Sequence, residues 1–325
     1  MDLQQEQPDR KRLISIIIPS YNESSNIAEC LGAVIEVMER SEEEFEIIPV
    51  NDGSKDSTID ILLSYSKCDA RVMPVDLKRN YGQTTAYQAG IDAAGGTHII
   101  FFSGDLEIPA VEILKVVERL DKGYHFVNTA RENRWGGSHA LKSKVANKIL
   151  NLLTDTNLTD RGSGLKGMSG EIARSLTLYG EWHRFLPDLA SIHTSRIDEF
   201  AVPFEERKAG VSSYRGKIKS LTVFLDLATV TFTVHAKRKP FNMLPGRLFG
   251  FTGLLIGSVG ICISIWLTCM KLFLAQPLGD RPLFLVGIML SLLGLNMAMV
   301  GILGELIMQI STKLDRIQAN HYLKN

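Results

Sequence analysis

In the stretch FFSGDLEIPA, residues 101 to 110, an apolar run ends in a turn that carries Asp105 and Glu107 two residues apart. Two carboxylates at that spacing can both reach a hard divalent cation, Mg2+ or Mn2+, with diphosphate oxygens and waters completing an octahedral shell. Three further clusters of turn residues also follow apolar runs: P-S-Y-N-E (Pro19 to Glu23), N-D-G-S-K-D-S-T (Asn51 to Thr58) and K-R-N-Y-G-Q (Lys78 to Gln83). Asp52 can accept a hydrogen bond from a ring N–H of a nucleotide base, and Gly53 lets backbone approach that base closely. Arg79 offers charge to a diphosphate. One such cluster is ordinary turn chemistry, because Asn, Asp, Gly and Ser all favour turns. Four in succession would line one site if the fold brings them together.

The elements needed to do so are legible. LISIIIP (13 to 19), FEIIPV (45 to 50), RVMPVDL (71 to 77), HIIFFS (98 to 103) and HFVNTA (125 to 130) are short apolar runs that stop at turn residues, as buried parallel strands do. Between the first two, Ile27, Leu31, Val34, Ile35 and Met38 recur at helical spacing behind serines that can cap a first turn. Similar helices fit residues 57 to 66, 83 to 94 and 110 to 121. The alternation predicts a three-layer α/β fold with its ligand site at the carboxyl ends of the strands.

The last third changes character. Residues 248 to 270 carry no charge, and residues 283 to 304 repeat the pattern after a short polar turn. Each is long enough to cross a bilayer as a helix, which favours two membrane spans over two core helices. Lys237, Arg238, Lys239 and Arg247 precede the first span and Lys313 and Arg316 follow the second, against Lys271 and Arg281 between them. That imbalance places both ends in the cytoplasm. Residues 220 to 236 are apolar but short and include Asp226, and are expected as a helix at the membrane surface. The expected organisation is residues 1–215 as the α/β domain, 216–246 as interfacial helices, 247–310 as the spans and 311–325 as a tail.

Lys+Arg and Asp+Glu each number 36, so the whole chain has no preference for nucleic acid. The four cysteines, Cys30, Cys68, Cys262 and Cys269, are scattered without zinc-ligand spacing, which argues against a zinc site or a disulfide framework. The amino terminus lacks the apolar stretch of a signal peptide, which leaves the first domain in the reducing cytosol.

With these motifs in place, the sequence resembles glycosyltransferase family 2, with a GT-A (Rossmann-like) catalytic domain. More narrowly it is similar to the polyprenyl-phosphate glycosyltransferases. The resemblance runs from about Ser15 to Gln309. It includes the D-x-G-x-x-L-K stretch from Asp160 to Lys166, G-E-W-H-R-F-L-P from Gly180 to Pro187 and the P-F-E-E-R-K-A-G-V-S-S-Y loop before the spans. It implies an inverting transfer of one sugar from a nucleotide sugar, expected to be a UDP-sugar, to undecaprenyl phosphate at a bacterial inner membrane. Nucleotide contacts would come from Pro19, Tyr21, Glu23 and Asp52, joined by Arg79 and Asp105. Asp105 would lie at the metal and Arg131 would touch sugar or phosphate. The loop with Arg207, Lys208, Ser213 and Arg215 would hold the lipid phosphate, so that Asp105, Arg131, Arg207 and Arg215 form the catalytic set. A homo-oligomer, dimer or tetramer, is expected from the resemblance and from Gly250, Gly253, Gly257 and Gly260, which let helices approach closely.

Three departures from the family pattern matter. Its acidic turn usually reads D-x-D-L-Q; here Ser103 replaces the first Asp and Glu107 replaces the Gln, which reads as a metal site shifted by two residues. Ser163 stands where some relatives carry an Asp, a loss serious for an alcohol acceptor but not for a phosphate, whose second pKa near ~6 leaves it largely dianionic at neutral pH. G-V-S-S-Y lacks the lysine of the usual loop, and Arg207, Lys208, Arg215 and Lys217 would supply its charge. Two other readings compete: a degenerate transferase kept as a membrane scaffold or nucleotide sensor, and a processive polysaccharide synthase, whose Q-x-x-R-W signature is absent. Among the histidines only His183, beside Arg184, is a candidate for function.

Overall fold

The computed structural model describes residues 12–132, 151, 156–205, 229–230, 234, 245–274 and 282–322. The strands are β1 (Ile14–Ser20), β2 (Phe45–Asn51), β3 (Val75–Asp76), β4 (His98–Phe101), β5 (Phe126–Arg131), β6 (Lys166–Ser169) and β7 (Ile197–Val202). They form one sheet in the order β3-β2-β1-β4-β6-β5-β7. Every pairing is parallel except that β6 runs antiparallel between β4 and β5. Helices α1 (Ile27–Arg40), α2 (Thr58–Cys68), α3 (Gln83–Ala93) and α4 (Glu112–Asp121) connect the first five strands.

Strand alternation divides the core in two. Ile14, Ile16 and Ile18 of β1 pack with Leu31, Val34 and Met38 of α1 on one face. Ile17 points the other way, into a cluster with Ala86, Tyr87 and Ile91 of α3 and Leu186 and Leu189. Both faces are therefore covered, as a largely parallel sheet requires.

Two strands escape the sequence reading. The β6 segment KGMS is only four residues long and contains Gly167, while β7, IDEFAV, places charged residues on a half-buried edge and so lacks an apolar run. The third expected strand shrinks to two residues plus an isolated bridge from Val72 to Ile47. Pro74 interrupts it because proline has no N–H to give the ladder.

The first compact unit ends at Val234 and the second begins at His235. Val230 and Val234, one helical turn apart, are fully buried in the α3-side core. That side of the expected surface helix therefore faces the α/β unit; most of residues 220 to 236 lies outside the described residues.

The second unit holds the helices Pro245–Leu274 and Pro282–Tyr322. Their apolar segments, Phe249–Phe273 and Pro282–Gly304, have mean hydropathies of 2.0 and 2.3 and are long enough to cross a membrane. They meet along small residues. A Cβ on Gly253 would lie 2.6 Å from the Gly294 carbonyl oxygen, and one on Gly260 would lie 2.5 Å from the Ser291 nitrogen. Gly257 faces Gly294 in the same seam, whereas Gly250 has nothing within 4 Å of such a Cβ. Three of the four glycines that the sequence assigned to self-association thus pack the chain's own two helices together.

Candidate active site

The first two clusters are stitched together by their own polar atoms. The Asn22 N–H donates to Ser54 Oγ at 3.0 Å, the Lys55 N–H to Asn22 Oδ1 at 2.8 Å, and the Glu23 N–H to Thr58 Oγ1 at 3.0 Å. Asp56 accepts from the N–H groups of Ser24 and Thr58, each at 3.1 Å. Burial pushes its carboxyl up, but these bonds outweigh it and hold the pKa at about 2. Asp56 and Thr58 are positioning residues that the sequence offered only as turn chemistry. Pro19 and Tyr21 are half-buried at the end of β1, and the Glu23 carboxylate accepts from Asn26 Nδ2 at 2.9 Å at the start of α1.

Asp52 holds the third cluster. Its oxygens accept the Tyr81 N–H at 2.7 Å and the Gly82 N–H at 2.9 Å, and burial raises its pKa while these two N–H groups pull it down. Gly53 has a φ of +65°, and a Cβ there would sit 2.3 Å from the Arg79 carbonyl carbon. What approaches Gly53 closely is therefore the backbone of the third loop. Arg79 is exposed, with its guanidinium 4.8 Å from the Tyr81 ring centroid.

The acidic turn lies past the end of β4. Asp105 is only 9% exposed, Leu106 takes a φ of +53°, and the Glu107 N–H donates to Asp105 Oδ1 at 3.3 Å. A left-handed non-glycine residue between the two carboxylates is a strained conformation of the sort found at ligand sites. Glu107 Oε2 lies 3.3 Å from Arg131 Nη1. At the end of β5, Arg131 is gripped on its other edge by Asp160, with Nε to Oδ2 at 2.7 Å and Nη2 to Oδ1 at 3.1 Å. Glu107, read as a metal ligand, and Arg131, read as a sugar or phosphate contact, are thus joined to each other through a buried network. Asp160, which the sequence offered only as part of a motif, anchors it. Asn128 Nδ2 donates to the Asp160 carbonyl oxygen at 2.9 Å and to Glu199 Oε1 at 2.7 Å, tying β5 and β7 to the same loop.

The donor set fits a hard divalent cation only in part. Asp105 and Glu107 would offer two carboxylates, but among the described residues no group of three or more His, Cys, Asp or Glu is placed to hold a metal. Substrate oxygens would have to complete the shell. Ser163 is buried and shares a hydrogen bond with Thr129 Oγ1, which also donates to the Leu165 carbonyl oxygen at 2.7 Å. Ser103 packs against Gly164, where an added Cβ would come within 2.7 Å of the Ser103 Cβ.

His183 is bonded to α3. Its Nδ1 is 2.8 Å from Thr84 Oγ1 of α3, and burial, helped by Arg184 and Lys166, pushes its pKa down to about 3. The ring is uncharged at neutral pH and ties the Trp182–Phe185 turn to α3. Lys166, buried on β6, donates to the Arg161 carbonyl oxygen at 2.8 Å; burial lowers its pKa to about 8 and leaves it largely charged at pH 7.

Arg207, Lys208, Ser213 and Arg215 lie outside the described residues. The chain just before them is described as far as Glu205, whose N–H donates to the Glu107 carbonyl oxygen at 2.9 Å.

Residues 15–177 match the family model described as glycosyl transferase family 2. The chain belongs to that family. It is 34% identical over 300 residues to dodecaprenyl-phosphate galacturonate synthase of Rhizobium johnstonii, covering 90% of this chain and 87% of the relative. It is 30% identical over 306 residues to undecaprenyl-phosphate 4-deoxy-4-formamido-L-arabinose transferase of Aeromonas hydrophila, covering 93% and 90%. Within family 2 it is a polyprenyl-phosphate glycosyltransferase. Among solved structures, glucosyl-3-phosphoglycerate synthase of Mycobacterium tuberculosis in complex with Mn2+, UDP-glucose and phosphoglyceric acid matches with a TM-score of 0.52 at 16% identity, covering 69% of this chain and 81% of that one. That likeness is one of fold, and it bears out the GT-A architecture expected of family 2.

Proposed function

We propose that the strand-end site transfers one sugar, with inversion, from a UDP-sugar to undecaprenyl phosphate at the cytoplasmic face of a bacterial inner membrane. The observation that carries this reading is the hydrogen bond from Glu205 to Glu107, which holds the chain at the acidic turn two positions before Arg207 in the sequence. An anionic acceptor held by Arg207, Lys208, Ser213 and Arg215 would then lie beside the departing diphosphate. Pro19, Tyr21, Glu23, Asp52 and Arg79 hold the nucleotide. Asp105 and Glu107 would hold a Mg2+ or Mn2+ ion, which when bound supplies charge to neutralise the leaving diphosphate. Arg131, fixed in aim by Asp160, presents its guanidinium to phosphate oxygens.

The chemistry needs no general base. A phosphate oxygen forms its bond to the anomeric carbon as the bond from that carbon to the diphosphate breaks, and the nucleophile arrives already deprotonated. The hydroxyl pair Ser163–Thr129, with no carboxylate in its bonds, is compatible with this. The exposed apolar surfaces of the two helices, including Leu254, Leu272, Leu285 and Met289, suit lipid on both spans.

Purified protein given labelled UDP-, GDP- and dTDP-sugars with undecaprenyl phosphate tests the donor. A UDP-sugar is expected to label the lipid and unlabelled UDP to compete. Labelling from GDP-sugars alone would overturn the base assignment, and UDP binding without turnover would favour the nucleotide-sensor alternative.

A further inference from the structure

Lys166 is the charged residue of β6, and it is only 3% exposed. A buried ammonium is costly unless its N–H groups are bonded and opposite charge lies near. Its Nζ donates to the Arg161 carbonyl oxygen at 2.8 Å and, at 3.4 Å, to the carbonyl oxygen of His183 in the Trp182–Phe185 turn. The charged groups around it are Asp160 and Arg161 on the preceding loop, Arg131 on β5 and Asp188 of the Leu186–Ala190 helix, while His183 stays uncharged. On the neighbouring strands it stands opposite Phe101 of β4 and Asn128 of β5, neither of which carries charge.

The carbonyl that Lys166 bonds belongs to the residue after Asp160, and Asp160 grips Arg131 with Nε to Oδ2 at 2.7 Å and Nη2 to Oδ1 at 3.1 Å. The same loop is tied at two further points. Asn128 Nδ2 donates to the Asp160 carbonyl oxygen at 2.9 Å, and Arg161 Nε donates to Asp188 Oδ2 at 2.9 Å. Lys166 adds the link from this loop to the Trp182–Phe185 turn.

We infer that Lys166 is a positioning residue for transfer, whose ammonium fixes the Asp160 loop where Asp160 aims Arg131 at a substrate phosphate. The inference rests on the reading of Arg131 as a phosphate contact. An ionised donor makes hydrogen bonds roughly twice as strong as a neutral one, so the charge of Lys166 matters as well as its reach. Burial lowers its pKa to about 8, with Asp160 and Asp188 opposing and Arg131 and Arg161 adding, and the charged form gives way above that pH. Stability moves the other way. An unfolded lysine keeps its proton to its ordinary value of 10.5, so from about 8 to 10.5 the unfolded chain binds more protons and this group favours the folded state increasingly as pH rises. A loss of transfer through Lys166 is therefore a loss without unfolding.

The test is the pH profile of transfer to undecaprenyl phosphate by the full chain in mild detergent, with whichever labelled UDP-, GDP- or dTDP-sugar labels the lipid. Wild-type transfer is expected to fall with a midpoint near pH 8, whereas Lys166→Arg, whose charge does not titrate in this range, keeps its transfer through that pH. Lys166→Met is expected to lose about 10²-fold at neutral pH, the scale of a misplacement of about 1 Å. On an Arg131→Lys background, where the two-pronged grip of Asp160 is already gone, the same change should cost under about threefold more, because residues that act through one another are not additive. A wild-type profile with no fall near pH 8, the same fall in Lys166→Arg, a Lys166→Met chain that transfers like wild type, or an undiminished Lys166→Met loss on an impaired Arg131→Lys background would each overturn the inference. If Lys166→Met does not fold, the first two comparisons decide. Transfer by Arg131→Lys equal to wild type would instead remove the phosphate role of Arg131, and the inference with it.

Discussion

Asp105→Asn is expected to lower sugar transfer by about 10³-fold or more, the scale of losing charge stabilisation at a leaving group, without lowering the melting temperature. The substitution keeps the side chain's size and its acceptor oxygen for the Glu107 N–H, and it removes a charge from a site only 9% exposed. Its neighbour separates two roles. Glu107→Gln retains an oxygen for a cation and an acceptor for Arg131 Nη1, and is expected to stay within about tenfold of wild type at saturating Mg2+, with a higher cation requirement. Glu107→Ala removes both and should approach the Asp105 variant. If Glu107→Ala keeps an unchanged cation requirement, Glu107 serves Arg131 alone and the shifted metal site is wrong.

The largest effect on stability is expected at Asp160. Arg131 has a side chain 5% exposed, and two of its nitrogens bond the Asp160 carboxylate. Asp160→Ala leaves a guanidinium in the interior with Glu107 as its remaining ion-pair partner among the described residues, and breaking a buried pair in this way costs about 3–5 kcal/mol. Thermal melting of the detergent-solubilised protein reads this directly. Pairing the change with Arg131→Leu should recover part of the loss, because no charge then remains uncompensated, although transfer stays abolished. A loss at Asp160→Ala of under about 1 kcal/mol, the scale of an exposed pair, would show that the grip of Asp160 on Arg131 contributes little.

Sequence pattern revealed the part of the fold that depends on local periodicity. The alternation of Ile14, Ile16 and Ile18 against Ile17, and the helical spacing of Leu31, Val34 and Met38, each follow from which face must be buried. The antiparallel β6 was not legible, because a four-residue segment has no period and its place between β4 and β5 is a tertiary fact. The same limit applies at the site. Residue types pointed to Asp52, Asp105 and Glu107, and the family resemblance to Arg131, but neither pointed to their partners: Arg131 meets Glu107 and Asp160 across 24 and 29 residues of sequence. Gly53 was read as making room for a base, and the structure gives that room to the backbone at Arg79. The glycines of the first span signalled close helix packing correctly, but the packing partner lies in the same chain.

The central claim, that the site at the acidic turn joins a sugar to a lipid phosphate, is tested most directly by comparing two acceptors that differ only in that phosphate. Purified protein with its nucleotide sugar and Mg2+ is given undecaprenyl phosphate or undecaprenol, and the lipid products are weighed by mass spectrometry. One sugar is expected on undecaprenyl phosphate, with the new bond of opposite anomeric configuration to the donor, and no product from undecaprenol. Equal transfer to the alcohol, or release of free sugar with neither lipid modified, would contradict it.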